Sequence, residues 1–406
     1  MRLFRQLLPA ILLVVAPVSL SPLLAADYPE LTELRDQAWA AEAKPDYVAA
    51  VTLYRELAEK GDPAGYHGLA LAYLEAQGVK KDAAVALGWM RKAADLGYPQ
   101  ALTGLGLMYE VGEAVGKDID KANALYKQAA EKGDSRGAHY VGLNHLEGLG
   151  LEKSAALAAP WFRKAAENGY FSAMYQLGRL LEKGDGVAKN PVEAMGWYTM
   201  AASGGQAEAE FMLGASHDFA DPVEENKELA FFWYKRAADH DNVDAYNNLA
   251  QAYRNGDGTE KNVKMAQYYF EKGVAAEEPY AMSNFADMLL KGEGIKTDRK
   301  RGIALLEKAA AKDHAFAMVE LGLVLTQGKD RADYLKRAAK LYLKAAELND
   351  PRAMRLIAAA YAKGEGVEAD AKAAKKWYLK AVAAGDTEAK DELKAFIASE
   401  RLGRTG

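Results

Sequence analysis

Gly65, Ala101, Gly137, Ala173, Ala209, Ala245, Ala281, Ala317, Ala353 and Ala389 form one column, each 36 residues after the last, with no insertion or deletion in the series. A strict period of that length marks a solenoid, in which each unit is one supersecondary motif that buries its apolar face only against its neighbours. Two further columns keep the phase. Four residues after each anchor come Leu69, Leu105, Val141, Leu177, Leu213, Leu249, Phe285, Leu321, Ile357 and Leu393. Twenty-four after come Trp89, Leu125, Trp161, Trp197, Trp233, Tyr269, Leu305, Leu341 and Trp377, so five of the six tryptophans share one position. Nine complete units run over 63–386, and the 406 residues do not divide into ordinary globular domains.

Each unit has the spacing of two helices. In the third, Tyr140-Val141-Gly142 to His145 form one apolar face, and Ala158, Trp161, Phe162, Ala165 and Ala166 form another at i, i+3, i+4, i+7. The tryptophan–tyrosine pairs read as core at that spacing. Gly106, Gly142, Gly178 and Gly214 leave room for a neighbouring helix. Between the helices lies a Gly-x-Gly-aliphatic turn, as at Gly148-Leu149-Gly150-Leu151 and Gly184-Asp185-Gly186-Val187. Asp82, Asp118, Asn190, Asn226, Asn262, Asp298 and Asp370 fall where the second helix needs an N-cap, and Gly97, Gly133, Gly169, Gly205 and Gly385 where it must stop. Units five and eight break the double-glycine turn, with Ala220-Asp221-Pro222-Val223 and Gly328-Lys329-Asp330-Arg331.

These residues resemble the Sel-1-like repeat family, whose pattern is A-x-x-x-L-G-x-x-Y-x-x-G-x-G-V followed by a second helix ending W-Y-x-K-A-A-x-x-G. Ala173-Met174-Tyr175-Gln176-Leu177-Gly178 and Trp233-Tyr234-Lys235-Arg236-Ala237-Ala238 carry it. The resemblance implies an all-α, right-handed superhelical α/α solenoid of helix-turn-helix repeats, related to the tetratricopeptide solenoids. The expected organisation is a signal peptide over 1–26, a degenerate N-terminal capping repeat over 27–62, nine repeats over 63–386, and a C-terminal capping helix and tail over 387–406. The leader rests on Arg2 and Arg5 before an apolar run from Leu7 to Leu20 and small residues at Ala25-Ala26. A periplasmic or secreted product follows, with no stable membrane insertion after cleavage.

Cysteine is absent, which removes disulfides, thiolate metal sites and cysteine nucleophiles together. Bacterial relatives of the family include cysteine-rich proteins described as β-lactamases, so catalytic patterns matter here. Ser216-His217-Asp218 holds the residue types of a hydrolytic triad, but consecutive helical residues point about 100° apart and cannot form a relay. None of Ser135, Ser154, Ser172, Ser203, Ser216, Ser283 and Ser399 is followed three residues on by Lys, and no His-Glu-x-x-His motif occurs. His139 and His145 are poorly spaced for a shared metal. All six histidines read as satisfied or exposed, and the chain as non-catalytic, with no cofactor, metal or catalytic residue assigned. The runner-up is a β-lactamase-like or cell-wall hydrolase.

Surface is then what remains. By likeness to tetratricopeptide solenoids, the first helices line a concave face, and positions two, six and nine after each anchor point into it. Tyr175, Arg179, Phe211, Asn247, Gln251 and Arg254 are the expected partner-binding residues, with Glu182 and Asp218 beside them, because rings supply area and amides supply directional hydrogen bonds. Leu71, Leu74, Leu107, Leu143 and Leu146 make an aliphatic stretch at the same positions earlier in the chain. Formal charge is uneven: residues 27–290 hold 40 acidic and 26 basic side chains, residues 291–406 hold 17 and 24. Nucleic acid is disfavoured; a protein partner on the concave face is expected, and an anionic glycan is a second ligand that the basic C-terminal third admits. The resulting reading is a non-catalytic scaffold for protein–protein interaction in the bacterial cell envelope, in assembly or regulation of envelope or exopolysaccharide machinery, with a secreted host-interaction factor as a further alternative.

Overall fold

The computed structural model describes residues 29–327 and 331–402. The expected leader over 1–26 and the eighth-repeat turn at 328–330 lie outside these residues. Among them are 21 α-helices and no strand. The chain forms two compact halves, one ending at Gln206 and one beginning at Ala207.

In the first half, α1 (Thr32–Ala43) and α2 (Tyr47–Glu59) precede the repeats. Four repeats follow: α3 (Pro63–Glu75) with α4 (Ala83–Asp95), α5 (Pro99–Val111) with α6 (Ile119–Glu131), α7 (Ser135–Glu147) with α8 (Ala155–Glu167), and α9 (Phe171–Lys183) with α10 (Pro191–Ser203). The second half holds five more: α11 (Ala207–Phe219) with α12 (Lys227–Asp239), α13 (Val243–Asn255) with α14 (Val263–Ala275), α15 (Pro279–Lys291) with α16 (Arg299–Ala311), α17 (Ala315–Thr326) with α18 (Arg331–Glu347), and α19 (Pro351–Lys363) with α20 (Ala371–Ala383). α21 (Ala389–Leu402) closes the described chain. Within each half, helices pack on their neighbours in sequence, and first helices of adjacent repeats also touch, as α5 with α7 and α13 with α15.

Local chemistry accounts for the helix bounds. All seven residues read as N-caps accept a backbone N–H from the first turn of their helices, satisfying donors that the helix itself leaves unpaired. The double-glycine turn has a second purpose that periodicity did not reveal. Gly186 has a φ of +71°, and a Cβ on it would lie 2.2 Å from the backbone nitrogen of Ala156, at the start of the preceding repeat's second helix. The turn is a docking point between repeats as well as a connector. In repeat five the seven-residue connection keeps its length, with Ala220 left-handed at φ 56° and a cis Asp221–Pro222 peptide. Repeat eight departs further, since α18 begins one turn early and runs 17 residues where other second helices run 13.

The core corrects the sequence reading of the aromatic pairs. Trp89, Trp161, Trp197, Trp233 and Trp377 are only half-buried. The fully shielded column lies one residue on, in Met90, Phe162, Tyr198, Tyr234, Phe270 and Leu306. Those side chains face the small residue of the first helix: Gly142 meets Phe162, Gly178 meets Tyr198 and Gly214 meets Tyr234, where a Cβ would fall within 2.7 Å of the ring. The tryptophans lie outside this seam, several beneath a cation three residues on, as Lys92 over Trp89 at 4.2 Å and Lys380 over Trp377 at 4.5 Å.

Candidate functional site

Position two after the anchor is a joint between repeats through much of the chain. His67 packs on Tyr98, and His139 on Tyr170, at 5.4 and 5.0 Å between ring centroids. The Ser283 hydroxyl lies 3.1 Å from His314 Nε2, and Arg355 Nε donates to Asp386 at 3.0 Å. Each partner stands 31 residues later, at the entrance to the next repeat's first helix. Tyr175, Phe211 and Asn247 occupy this column but are half-buried and turn elsewhere.

In the first half, Tyr175 tilts against Tyr198 at 5.9 Å, and the Arg179 guanidinium lies 5.7 Å from the Tyr175 ring centre. Arg179 Nη1 also donates to Gln176 at 3.3 Å. Glu182 is occupied within the fold: it accepts the Tyr198 hydroxyl at 2.8 Å, and burial together with this carboxylate pushes the Tyr198 phenol well above its ordinary range.

In the second half, Phe211 tilts on Tyr234 at 5.7 Å. A chain of hydrogen bonds runs through the amides: Asn284 Nδ2 donates to Asn247 Oδ1 at 2.8 Å, Asn247 Nδ2 to Asn248 Oδ1 at 3.1 Å, and Asn248 to the Tyr234 hydroxyl. Tyr234 donates to Asp218 Oδ2 at 3.1 Å, and Lys227 Nζ donates to Asp218 Oδ1 at 2.9 Å. A cavity of about 280 Å³ opens among α11, α12 and α13 along this chain. Gln251 lines it, and its Oε1 is shielded from solvent with no hydrogen-bond partner. Arg254 is held by Asp287 and by Glu293 at 2.7 Å, leaving its side chain 13% exposed. Burial pushes the Asp287 carboxyl up, but hydrogen bonds from Lys291 and Arg254 outweigh it and leave the group below its usual range.

The expected face is therefore partly committed to internal bonds: Glu182 and Asp218 satisfy buried tyrosines, and Arg254 is paired. Asn247 is bonded within the amide chain, and it and Gln251 line the cavity. Sequence reasoning did not find Asn248, Lys227, Phe219 and Asp257, which complete the cavity. The tyrosine–carboxylate pairing did leave a signal. In repeats two, four, five and eight the shielded residue is Tyr126, Tyr198, Tyr234 or Tyr342, and the residue sixteen earlier is Glu110, Glu182, Asp218 or Thr326, an oxygen in every case. At Met90, Phe162 and Leu306, which have no hydroxyl, the residue sixteen earlier is Leu74, Leu146 or Leu290; repeats six and nine break the pattern, with Arg254 sixteen before Phe270 and Ala362 sixteen before Tyr378.

The triad types at 216–218 do not assemble, because Asp218 faces Lys227 and Tyr234 and Ser216 is buried. His145 Nδ1 is 2.9 Å from the Glu152 carbonyl, and His240 Nδ1 is 2.7 Å from the buried Glu210. His139 and His217 depart from the reading of satisfied or exposed histidines, since the Nδ1 of each is buried without a hydrogen-bond partner. Among the described residues no group of three or more His, Cys, Asp or Glu is arranged to hold a metal ion, and no helix is long and apolar enough to cross a membrane.

The Sel1 repeat family model matches ten consecutive segments: 41–62, 63–98, 99–134, 135–170, 171–206, 207–242, 243–276, 279–314, 315–350 and 351–386. The chain belongs to the Sel1 repeat family. It is similar to c5321, a protective antigen present in uropathogenic Escherichia coli strains that displays the same fold, at 26% identity and a TM-score of 0.72, over 92% of this chain and 81% of that one. A Sel1 repeat protein from Oxalobacter formigenes is 32% identical with a TM-score of 0.56, over 60% of this chain and 99% of that one. Comparison with curated proteins gave no match.

Proposed function

We propose that this Sel1 repeat protein is a non-catalytic scaffold for protein–protein interaction in the cell envelope, holding an extended partner segment against its first helices. Tyr175 and Arg179 serve in the first half; Phe211, Asn247 and Gln251 serve in the second, where Arg254 is already held by Asp287 and Glu293. The observation that carries this reading is the open cavity of about 280 Å³ beside α13, lined by Asn247, Asn248 and Gln251 with Phe219, polar groups and a ring of the kind that hold an extended peptide. The likeness to an antigen of uropathogenic strains supports an exported setting, with 1–26 as a cleaved leader, 27–62 and 387–406 as caps, and assembly or regulation of envelope or exopolysaccharide machinery as the process served. The basic C-terminal third remains the candidate surface for an anionic glycan.

Crosslinking in cells followed by capture of the tagged chain from the envelope tests the reading. A partner whose recovery falls in Phe211→Ala, with helicity unchanged, supports it. Recovery unaffected by Phe211→Ala, Asn247→Ala and Gln251→Ala counts against the first-helix face. Turnover of a β-lactam or of peptidoglycan that survives repurification would favour the hydrolase.

A further inference from the structure

A second cavity, of about 590 Å³, lies in the second half where the turn of repeat seven meets the start of α14. The two pieces are fixed on each other: Gly294 is left-handed at φ +71°, and a Cβ on it would lie 2.8 Å from a methyl of Val263. Lys261 and Lys264 line the cavity from α14 and the residues before it, Lys296 lines it from the turn, and among the described residues no carboxylate does. All three lysines are exposed, and none is in an ion pair among the described residues. Of the carboxylates in these segments, Glu271 and Glu293 are held by Arg301 and Arg254, and Asp298 caps α16, which leaves the exposed Glu260 beside three ammonium groups. The rest of the lining suits hydroxyls. Asn262 commits its Oδ1 to the Met265 N–H and Gln267 its Nε2 to Glu271, so one amide donor and one amide acceptor are left over. Val263 and Ile295 add aliphatic surface, and no ring lines the cavity, as stacked bases would require.

Lys264 is also the first of a row. The same place in repeats seven, eight and nine is Lys300, Lys336 and Lys372, all exposed, whereas the first five repeats carry Ala84, Asp120, Ala156, Val192 and Glu228 there. Lys264, Lys300 and Lys372 are each the second residue of their helix, where the helix dipole disfavours a cation, so helix stability does not account for them. Ion pairs from Arg301 to Glu271 at 3.1 Å and from Arg337 to Glu307 at 2.7 Å tie α14, α16 and α18 side by side, and each arginine directly follows a lysine of the row.

We infer that this cavity holds a uronate unit of an acidic polysaccharide, its carboxylate among Lys261, Lys264 and Lys296 and its hydroxyls on Asn262 and Gln267, with the chain continuing along Lys300, Lys336 and Lys372. This rests on the glycan reading of the basic C-terminal third and gives it one site and one chemistry. Fluorescence polarisation of a labelled oligogalacturonate with the full chain tests it, with dextran and polyglutamate as competitors. Binding is expected to resist dextran, to yield to polyglutamate only at about tenfold higher concentration than to unlabelled oligogalacturonate, and to weaken as salt rises. It should fall about tenfold in Lys264→Gln/Lys296→Gln, while the charge-matched Lys44→Gln/Lys80→Gln, exposed in the first half, leaves it unchanged. Lys300→Gln/Lys336→Gln should weaken a long oligomer more than a trisaccharide, because only the long chain reaches the row. All six positions are exposed, so the variants should keep the circular dichroism of the wild type. Equal loss in the cavity and control variants, or displacement by polyglutamate as readily as by oligogalacturonate, overturns the site. The two readings separate: an oligogalacturonate that binds with no loss in Lys264→Gln/Lys296→Gln overturns the cavity and leaves the glycan reading standing. No binding at millimolar concentration overturns both, and leaves capture of a protein partner through Phe211 to be judged by itself.

Discussion

Phe162 and Trp161 are adjacent, equally aromatic and unequally placed. Phe162 is fully shielded against Gly142, whereas Trp161 is half-buried. Truncating a buried ring removes its transfer energy and leaves a cavity, so Phe162→Ala should cost about 3–5 kcal/mol, and Trp161→Ala about half of that; urea unfolding of the two variants measures the difference. A larger loss at Trp161 would contradict the assignment of the core column. His139 supplies a pH dependence. Enclosed by Tyr140, Phe162 and Tyr170, it is pushed by burial down to about 3. The unfolded chain takes up that proton near pH 6.5, the folded chain only near 3, so stability is full above about 6.5 and falls as pH drops between the two values, by up to about 1.4 kcal/mol per pH unit. His139→Phe should flatten that part of the pH–stability curve. Neither effect was legible in the sequence, because a period of 36 fixes which positions are equivalent but not which of two neighbouring rings points inward.

At the scale of an element, glycine has opposite meanings in the helix and in the turn. Gly88 sits in the exposed middle of α4 with nothing within 4 Å of where a Cβ would go. Gly88→Ala should stabilise by about 0.5–1 kcal/mol, through helix propensity and lost freedom of the unfolded chain. Gly186 has a left-handed backbone and a neighbouring backbone 2.2 Å from the added atom, so Gly186→Ala should destabilise by about 1–3 kcal/mol or more. Thermal melts of the two variants should move in opposite directions. Stops, caps and turns were readable in advance because each depends on local backbone chemistry. The early start of α18 was not, since the eighth connection lacks the double-glycine signal and nothing local marks where the next helix begins.

At the scale of the molecule, contacts stay close in sequence. The side-chain hydrogen bonds that join one repeat to the next reach no further than 39 residues along the chain, as between Asn123 and Asn144, Asn123 and Leu149 or Arg254 and Glu293. Stability is then a sum of repeats and nearest-neighbour joints, and damage should remain local. Hydrogen exchange on Phe162→Ala should speed up in α7, α8 and the adjoining helices while α19 and α20, six repeats later in the sequence, keep their protection; uniform loss of protection would indicate one cooperative unit. With no cysteine in the chain, the melting temperature should be the same with and without reductant.

The sequence by itself determined the repeat, its two helices, their caps and stops, and the family, because all of these depend on periodicity and short-range backbone chemistry, which are written linearly. Only the tertiary structure decided which ring of each aromatic pair is core, that Glu182 and Asp218 serve buried tyrosines, that Arg254 is paired with Asp287 and Glu293, and that Gln251 lines a cavity with its Oε1 shielded. Those outcomes depend on where a side chain lands relative to residues 16 to 39 positions away. A polar residue on a helix looks the same in sequence whether its partner is a neighbouring repeat or a ligand, and only the packing of one repeat on the next uses up the first kind and leaves the second kind open.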